Sequence, residues 1–168
     1  MKSISYNKLK EMLYNHELWL NCRGGKKINL SYTDLSNIDL SDADLRYANL
    51  SNIKINYRTL GYHLACPEEG SFIGYKKANK HLIKLLILED SKRSSATTLK
   101  CRCDKAKVLS ITNIKTGKEI SEIASDYDKN FIYKVGKIVE VKDFDEDRWN
   151  ECSIGIHFFI NKESAINY

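Results

Sequence analysis

Residues 28–55 read INLSYTDLSNIDLSDADLRYANLSNIKI, and this stretch decides the fold of the first third of the chain. An aliphatic residue recurs at every fifth position, and a second small or apolar residue stands two places before most of these. The recurring residues are Leu30, Leu35, Leu40, Leu45, Leu50 and Ile55. Helices and strands have side-chain periods of about 3.6 and 2, so neither explains this spacing. The pattern predicts a chain that turns a corner every five residues.

The best-fitting units are residues 43–47 (ADLRY) and 48–52 (ANLSN), which resemble the A-[DN]-L-x-x unit of the pentapeptide-repeat family. The resemblance implies a short right-handed β-helix over residues 27–56, with the leucines stacked inside. Some members of that family imitate DNA, a role that requires a long acidic rod. This segment has three basic and four acidic residues, a net charge of −1. We therefore favour a scaffold or dimerisation platform over DNA mimicry.

The chain is predicted to have three segments: 1–26, 27–56 and 57–168. The first contains a helical pattern with Ser5 as candidate N-cap. We expect this helix to cap the open end of the repeat, because exposed coil ends leave backbone groups unpaired. The third has the alternation and turn residues of a β-rich α+β domain. The predicted fold class is α+β, mostly β.

Five strands and a final helix are predicted in the third segment. The strands are residues 71–77, 81–88, 107–113, 131–135 and 155–160. Asn161 is expected to cap a helix over residues 162–168. Glycines at four positions are expected to mark turns. These are Gly70, Gly74, Gly117 and Gly136.

The third segment also resembles a family of uncharacterised C-terminal domains that follow pentapeptide repeats, often in bacteriophage genomes. The matching stretches are CPEEGSFIG (66–74), KRSSAT (92–97), DEDRWNEC (145–152) and GIHFF (155–159). The resemblance brings no assigned activity, but it implies a viral origin.

Composition excludes several classes of protein. The apolar content of 42% suffices for a core, and we find neither a signal peptide nor a membrane-spanning run. We expect a cytoplasmic protein with no membrane partner, in the host cytoplasm if the origin is viral. Five irregularly spaced cysteines indicate reduced, packed thiols and no metal site.

The first candidate site is the basic stretch of residues 92–107, with six cations, one acid and four hydroxyl side chains. Arginine forks and hydroxyl donors suit a discrete phosphate. No aromatic residue is available to stack bases, which argues against extended nucleic acid as a partner. The alternative is a solvated loop. The candidate ligand-binding residues are Lys92, Arg93, Ser94, Ser95, Thr97, Lys100 and Arg102.

The second candidate is residues 155–168, GIHFFINKESAINY, which resemble the G-[IL]-Y-F…S-A-N-Y element of ADP-ribosyltransferases. The resemblance places His157 and Tyr168 where two aromatic rings sandwich nicotinamide. Those transferases use a catalytic Glu downstream of this element. Because the sequence ends at Tyr168, we expect binding rather than transfer and name no catalytic residue. Trp149 is a further candidate for stacking on a base.

We therefore predict a non-enzymatic phage or viral accessory protein. It would bind and sequester a small anionic nucleotide-type ligand, such as a signal of bacterial defence, without a cofactor. Two alternatives stay open: a nucleotide-acting enzyme with an ADP-ribosyltransferase-like fold, and a protein–protein adaptor that uses the repeat surface. The shortness of the repeat also suggests a homo-oligomer.

Overall fold

The computed structural model describes all 168 residues, which form two compact units. The first unit comprises residues 1–63 and 96–98, and the second comprises residues 64–95 and 99–168. The structure is mostly β with two helices. Neither helix has the length and apolar character needed to cross a membrane.

One helix and two short strands belong to the first unit. Strand β1 (Lys2–Ser3) precedes helix α1 (Tyr6–Leu20), and β1 pairs in parallel with strand β2 (Thr33–Asp34). The Ser5 side chain accepts a hydrogen bond from the backbone N–H of Lys8 at 3.3 Å, which confirms the predicted N-cap.

Five of the six units of the repeat turn through the same local contact, and the sixth has Lys54 in place of Asp or Asn. An Asn or Asp side chain accepts a hydrogen bond of 2.8–3.1 Å from the backbone N–H two residues later. The accepting residues are Asn29, Asp34, Asp39, Asp44 and Asn49. This Asx-turn explains why the unit needs Asp or Asn before its leucine. The leucines that follow the first four are at most 1% exposed.

The corner residues of the repeat adopt the left-handed conformation. Their φ angles lie between 54° and 62°. They are Tyr32, Asn37, Asp42, Tyr47 and Asn52. Asn and Asp tolerate this conformation, whereas other L-residues adopt it at a cost of about 1–2 kcal/mol. The two tyrosines are therefore strained positions.

The repeat pairs with itself after about twenty residues. The parallel bridges join Asn29 with Asn49, Asp34 with Lys54, and Asp39 with Leu60. Four turns of five residues account for the first two spacings, and one extra residue enters before the third. These bridges are isolated, so the closed right-handed β-helix expected over residues 27–56 stays a prediction.

His16 fastens helix α1 to the repeat within the first unit. The ring is fully buried. Its Nδ1 accepts a hydrogen bond from the N–H of Ile28 at 3.2 Å, so Nε2 is the atom that donates to the Arg46 carbonyl at 3.0 Å. Burial lowers the pKa of His16, against the raising effects of the Arg46 carbonyl and Asp44. The ring is therefore held in its neutral form.

The second unit is built from three antiparallel sheets. The strands are β3 (Phe72–Ala78), β4 (His81–Ile87), β5 (Arg93–Ser95), β6 (Cys101–Cys103), β7 (Lys105–Asn113), β8 (Glu122–Ala124), β9 (Ile132–Lys134), β10 (Ile138–Glu140) and β11 (Ile156–Phe158). A four-stranded sheet has the order β10-β7-β4-β3, a three-stranded sheet has the order β11-β6-β5, and β8 pairs with β9. Helix α2 (Lys162–Asn167) follows, and Asn161 caps it as predicted.

Alternating side chains place the core of this unit. Ile83, Leu85 and Ile87 of β4 are fully buried in one cluster with residues of β6, β7 and β11. Gly74 lies in the middle of β3, so its predicted place in a turn is wrong. A Cβ atom there would stand 2.6 Å from the Phe158 ring, and this close approach requires glycine.

Residues 92–107 are not a solvated loop. They contain strands β5 and β6 and the start of β7, and most side chains between Ser94 and Cys103 are buried. The hydroxyl and cysteine residues make this stretch less apolar than its neighbours, which hid the strands from the sequence pattern. The solvated-loop alternative is therefore wrong.

We expect Tyr32→Asn to stabilise the protein by about 0.5–1 kcal/mol, because Asn relieves the left-handed strain at an exposed corner. Tyr57→Asn is the matched control, since Tyr57 is 76% exposed and lacks a positive φ. Urea unfolding measures both. A Tyr32→Asn protein less stable than the control would refute the strain.

Acid should weaken the first unit through His16. Because its folded pKa is lowered, the stability is complete above the unfolded pKa of about 6.5 and falls as the pH drops below it. Unfolding followed from pH 7.5 to 5 should show this loss, and His16→Phe should remove the part that His16 contributes and leave the part from His157, whose pKa burial also lowers. His63→Gln, at an exposed histidine, should leave it unchanged. An unaltered pH profile in His16→Phe would contradict the assignment.

Candidate functional site

A cavity of about 400 Å³ opens in the second unit, and we call it the Lys76 cavity. Its walls come from strands β3, β9 and β11 and from the segments that follow β8 and β10. The last residues of the loop before β11, Lys100 before β6 and Tyr168 after α2 complete them. The lining residues are Lys76, Lys100, Ser125, Tyr127, Asp128, Phe131, Tyr133, Val141, residues 152–157 and Tyr168. Aromatic and aliphatic groups dominate, and a few polar groups stand among them. Ligand sites have this composition.

Lys76 is the cation of the cavity that lacks a hydrogen-bond or ion-pair partner. It projects from β3, and its Nζ lies 6.0 Å from the centre of the Tyr133 ring. It makes no hydrogen bond and no ion pair. Burial lowers the pKa of Lys76, and the charge of Asp126 opposes that effect only in part. The ammonium group is therefore poorly compensated.

Lys100, by contrast, is fully engaged. The side chain is 5% exposed, and Nζ lies 3.3 Å from the carboxylate of Glu151. Nζ also lies 3.2 Å from the Tyr168 hydroxyl and 3.2 Å from the Cys152 Sγ. Burial acts to lower the pKa of Lys100, but these hydrogen bonds and the Glu151 charge outweigh it and raise the pKa. Lys100 thus stays charged and ties Tyr168 to the cavity wall.

His157 presents a neutral ring to the cavity. Its Nε2 lies 2.9 Å from the Ser153 carbonyl, which can only accept, so Nε2 carries the hydrogen. Burial lowers the pKa of His157, as do the charges of Lys76 and Lys100, against the raising effect of the Ser153 carbonyl. Nδ1 is left with a lone pair and no hydrogen-bond partner.

The two predicted ring positions lie on the predicted elements. His157 is in β11, Tyr168 follows α2, and both line the Lys76 cavity. The centres of the Tyr168 and Phe159 rings lie 5.2 Å apart, so the Phe159 ring packs against Tyr168 and supports its orientation. The structure brings Lys100 to the same cavity, and these three of the predicted site residues share it.

The predicted arginines instead bind the backbone. The Arg93 guanidinium donates to the carbonyls of five residues. These are Pro67, Gly70, Leu88, Glu89 and Ser91. Arg102 is 1% exposed and donates to the carbonyls of Asp145, Asp147 and Ile154 at 2.9–3.0 Å. Both groups hold loops in place.

The remaining predicted residues lie elsewhere. Lys92 forms an ion pair with Glu146, and with Arg93 and Ser94 it lines a separate groove that also holds Glu68. The Ser95 hydroxyl is buried and accepts from the Ala65 N–H at 2.8 Å. Thr97 belongs to the first unit and donates to the Ala43 carbonyl at 2.7 Å. Trp149 contacts the Arg148 guanidinium, 4.5 Å from its ring.

Sequence reasoning missed Lys76, Tyr133 and residues 125–131. The signal for Lys76 was present: it alternates with Gly74 and Ala78, both buried, so it occupies an inward position of β3. A lysine at such a position is rarely buried without a reason. The structure shows no cluster of three or more His, Cys, Asp or Glu residues arranged for a metal ion, and all five cysteines are free thiols.

Arg102→Met should lower the free energy of unfolding by about 3 kcal/mol or more, because it removes three charge-assisted hydrogen bonds and leaves their carbonyls unpaired. Lys92→Met removes an exposed ion pair, which solvent screens, and should leave the free energy of unfolding nearly unchanged. Urea unfolding compares them. Equal effects of the two changes would contradict an anchoring role for Arg102.

Comparison with known families follows the division of the chain. The family described as "Pentapeptide repeats (8 copies)" matches residues 26–56, which have room for six units of five. The family described as "Family of unknown function (DUF5758)" matches residues 62–165. No curated protein and no solved structure matches the chain. The predicted repeat and the uncharacterised domain behind it are thus confirmed, and the chain belongs to the DUF5758 family of unknown function.

Proposed function

We propose that the second unit binds a small anionic ligand of nucleotide type in the Lys76 cavity and releases it unchanged. The observation that carries this proposal is the Lys76 ammonium group, which lines an apolar cavity without a hydrogen bond or ion pair. A half-buried charge without a partner is unfavourable. The phosphate of a ligand would supply the missing negative charge.

The size and walls of the cavity support a ligand with one flat ring. The volume of about 400 Å³ falls within the range of roughly 300–1,000 Å³ typical of small-ligand sites. Phe131, Tyr127 and Tyr168 supply aromatic surface, on which a nucleobase stacks favourably. His157 of β11 and Tyr168 after α2 also line the cavity. We propose that they act as the pair of rings that the ADP-ribosyltransferase resemblance implies.

The charge balance favours a ligand with few negative groups. Lys76 and Lys100 are the two cations of the cavity, and Lys100 already has Glu151 as its counter-ion. Asp128 adds a negative charge to the wall. A mononucleotide suits this balance better than a triphosphate, which would need several unpaired cations.

Sequestration is the cellular role that we attach to this binding. A protein that holds a signalling nucleotide without turning it over lowers the free concentration of the signal. In the phage setting implied by the family resemblance, the signal would be one of bacterial defence and the compartment the host cytoplasm. A homo-oligomer built through the repeat would present several such cavities.

We further propose that residues 27–56 form a short right-handed pentapeptide β-helix. The parallel bridges twenty residues apart, the buried leucines and the recurring Asx-turns support this geometry. The two strained and exposed tyrosines, Tyr32 and Tyr47, favour a second candidate function. Strained positions cluster at functional surfaces, so the repeat is a candidate adaptor surface.

Thermal unfolding against a nucleotide panel tests the leading proposal. The panel contains nucleoside monophosphates, cyclic di- and trinucleotides, ADP-ribose and NAD. A ligand at one hundred times its Kd should add about 2.7 kcal/mol of stability. Recovery of that ligand intact supports sequestration, whereas a recovered product establishes the enzyme alternative.

Lys76→Met should weaken binding of the stabilising nucleotide at least tenfold, because it removes the charge and keeps most of the side-chain volume. The control is Lys84→Met, at an exposed lysine of β4 outside the cavity. Isothermal titration calorimetry compares the two. Absence of a shift across the panel, or equal affinities in both variants, would refute the proposed site.

A further inference from the structure

We infer that His157 selects, among nucleotides, those whose base presents a ring N–H beside a carbonyl oxygen, as uracil does on both sides of N3 and guanine on one side of N1. The inference rests on the proposed function and names the ligand class of the same cavity. It assigns His157 as a specificity-determining residue, in contact with the base rather than with the phosphate.

The tautomer of His157 is the first step. The Ser153 carbonyl, 2.9 Å away, requires the hydrogen to be on Nε2. The lone pair is then on Nδ1, and the ring acts as an acceptor there. Burial and three nearby cations keep the ring neutral by lowering its pKa. A lone pair in this position can accept from a ligand N–H but cannot pair with a ligand carbonyl.

The accessibility of Nδ1 is the second step. This atom makes no hydrogen bond, yet it is not among the polar atoms that the protein buries without a partner. His157 lines the Lys76 cavity, so a bound ring can reach it. An N–H donor on that ring would give Nδ1 of His157 the hydrogen bond that it lacks within the protein.

The surrounding charges are the third step, and they choose between kinds of N–H. Lys76, Lys100 and Arg102 all act on His157 through their positive charge. Carbonyl oxygens carry partial negative charge, so a lactam edge, in which a carbonyl stands beside the N–H, is favoured there. An amino group brings further positive hydrogens toward the same cations. Uracil, with a carbonyl on each side of its N3–H, therefore suits the site best. Guanine, with one carbonyl and one amino group beside its N1–H, follows, and cytosine and adenine have no ring N–H on that edge.

Ring methylation of the ligand tests this inference. The probes are uridine 5′-monophosphate and guanosine 5′-monophosphate, each beside its N3-methyl or N1-methyl derivative, with cytidine 5′-monophosphate for comparison. Calorimetry on the wild-type full chain should show at least tenfold weaker binding after methylation of whichever parent binds. Cytidine 5′-monophosphate should also bind more weakly than the parent nucleotide that binds.

Substitution of His157 completes the cycle. His157→Phe keeps a flat ring without an acceptor, so the methylated and parent nucleotides should bind equally. His157→Gln retains an acceptor oxygen and should restore part of the preference. His81→Phe, at a histidine outside the cavity, should leave the preference intact. If His157→Phe does not fold, the comparison of parent and methylated nucleotides on the wild-type chain still tests the role of His157.

The outcomes separate the two proposals. Equal wild-type affinity for parent and methylated nucleotides overturns the role of His157 but leaves nucleotide binding in place. A methylation effect that persists in folded His157→Phe overturns it as well. Failure of every nucleotide to bind the wild-type chain overturns the proposed function and this inference together.

Discussion

The buried guanidinium of Arg102 is the interaction on which the candidate site depends. Arg102 projects from β6 and binds three carbonyls of the segment between Asp145 and Ile154. Gly155 fits beside it, where a Cβ would stand 3.2 Å from the Arg102 Cβ. The same segment leads directly into β11, and the two together supply residues 152–157 of the cavity wall. A buried charge of this kind is stable only with several hydrogen-bond acceptors, so the loop and the strand hold each other in place.

With that wall fixed, the two lysines of the cavity have different roles. The Lys100 ammonium group forms an ion pair with Glu151 and hydrogen bonds with Tyr168 and Cys152 within the protein. Lys76 has no such partner, although it lies on an inward position of β3. Folded proteins rarely leave a half-buried charge uncompensated, and those that do often use it in function. The contrast between the two lysines is why we centre the binding proposal on Lys76.

The sequence predicted the local structure better than the site. The five-residue period predicted the buried leucines, and Ser5 and Asn161 cap the two helices because capping is a local property. The basic stretch of residues 92–107 was a poor guide to the site. A sequence does not show whether a cation faces solvent or is surrounded by backbone carbonyls. Arg93 and Arg102 bind carbonyls from segments up to 52 residues away, which only the folded chain brings together. The inward position of Lys76 on β3 could be predicted from the alternation of residues in the sequence. Its lack of a hydrogen-bond or ion-pair partner could not.

The central claim is that a nucleotide binds in the Lys76 cavity, and amide chemical shifts of the isotope-labelled full chain test it most directly. The titrant is uridine 5′-monophosphate, with guanosine 5′-monophosphate as the second choice if the first does not bind. Our account predicts shifts at Lys76, residues 125–133 and 152–157, and Tyr168. Shifts confined to residues 92–95 and 146–148, around the separate groove, would contradict it, as would a spectrum that neither nucleotide changes.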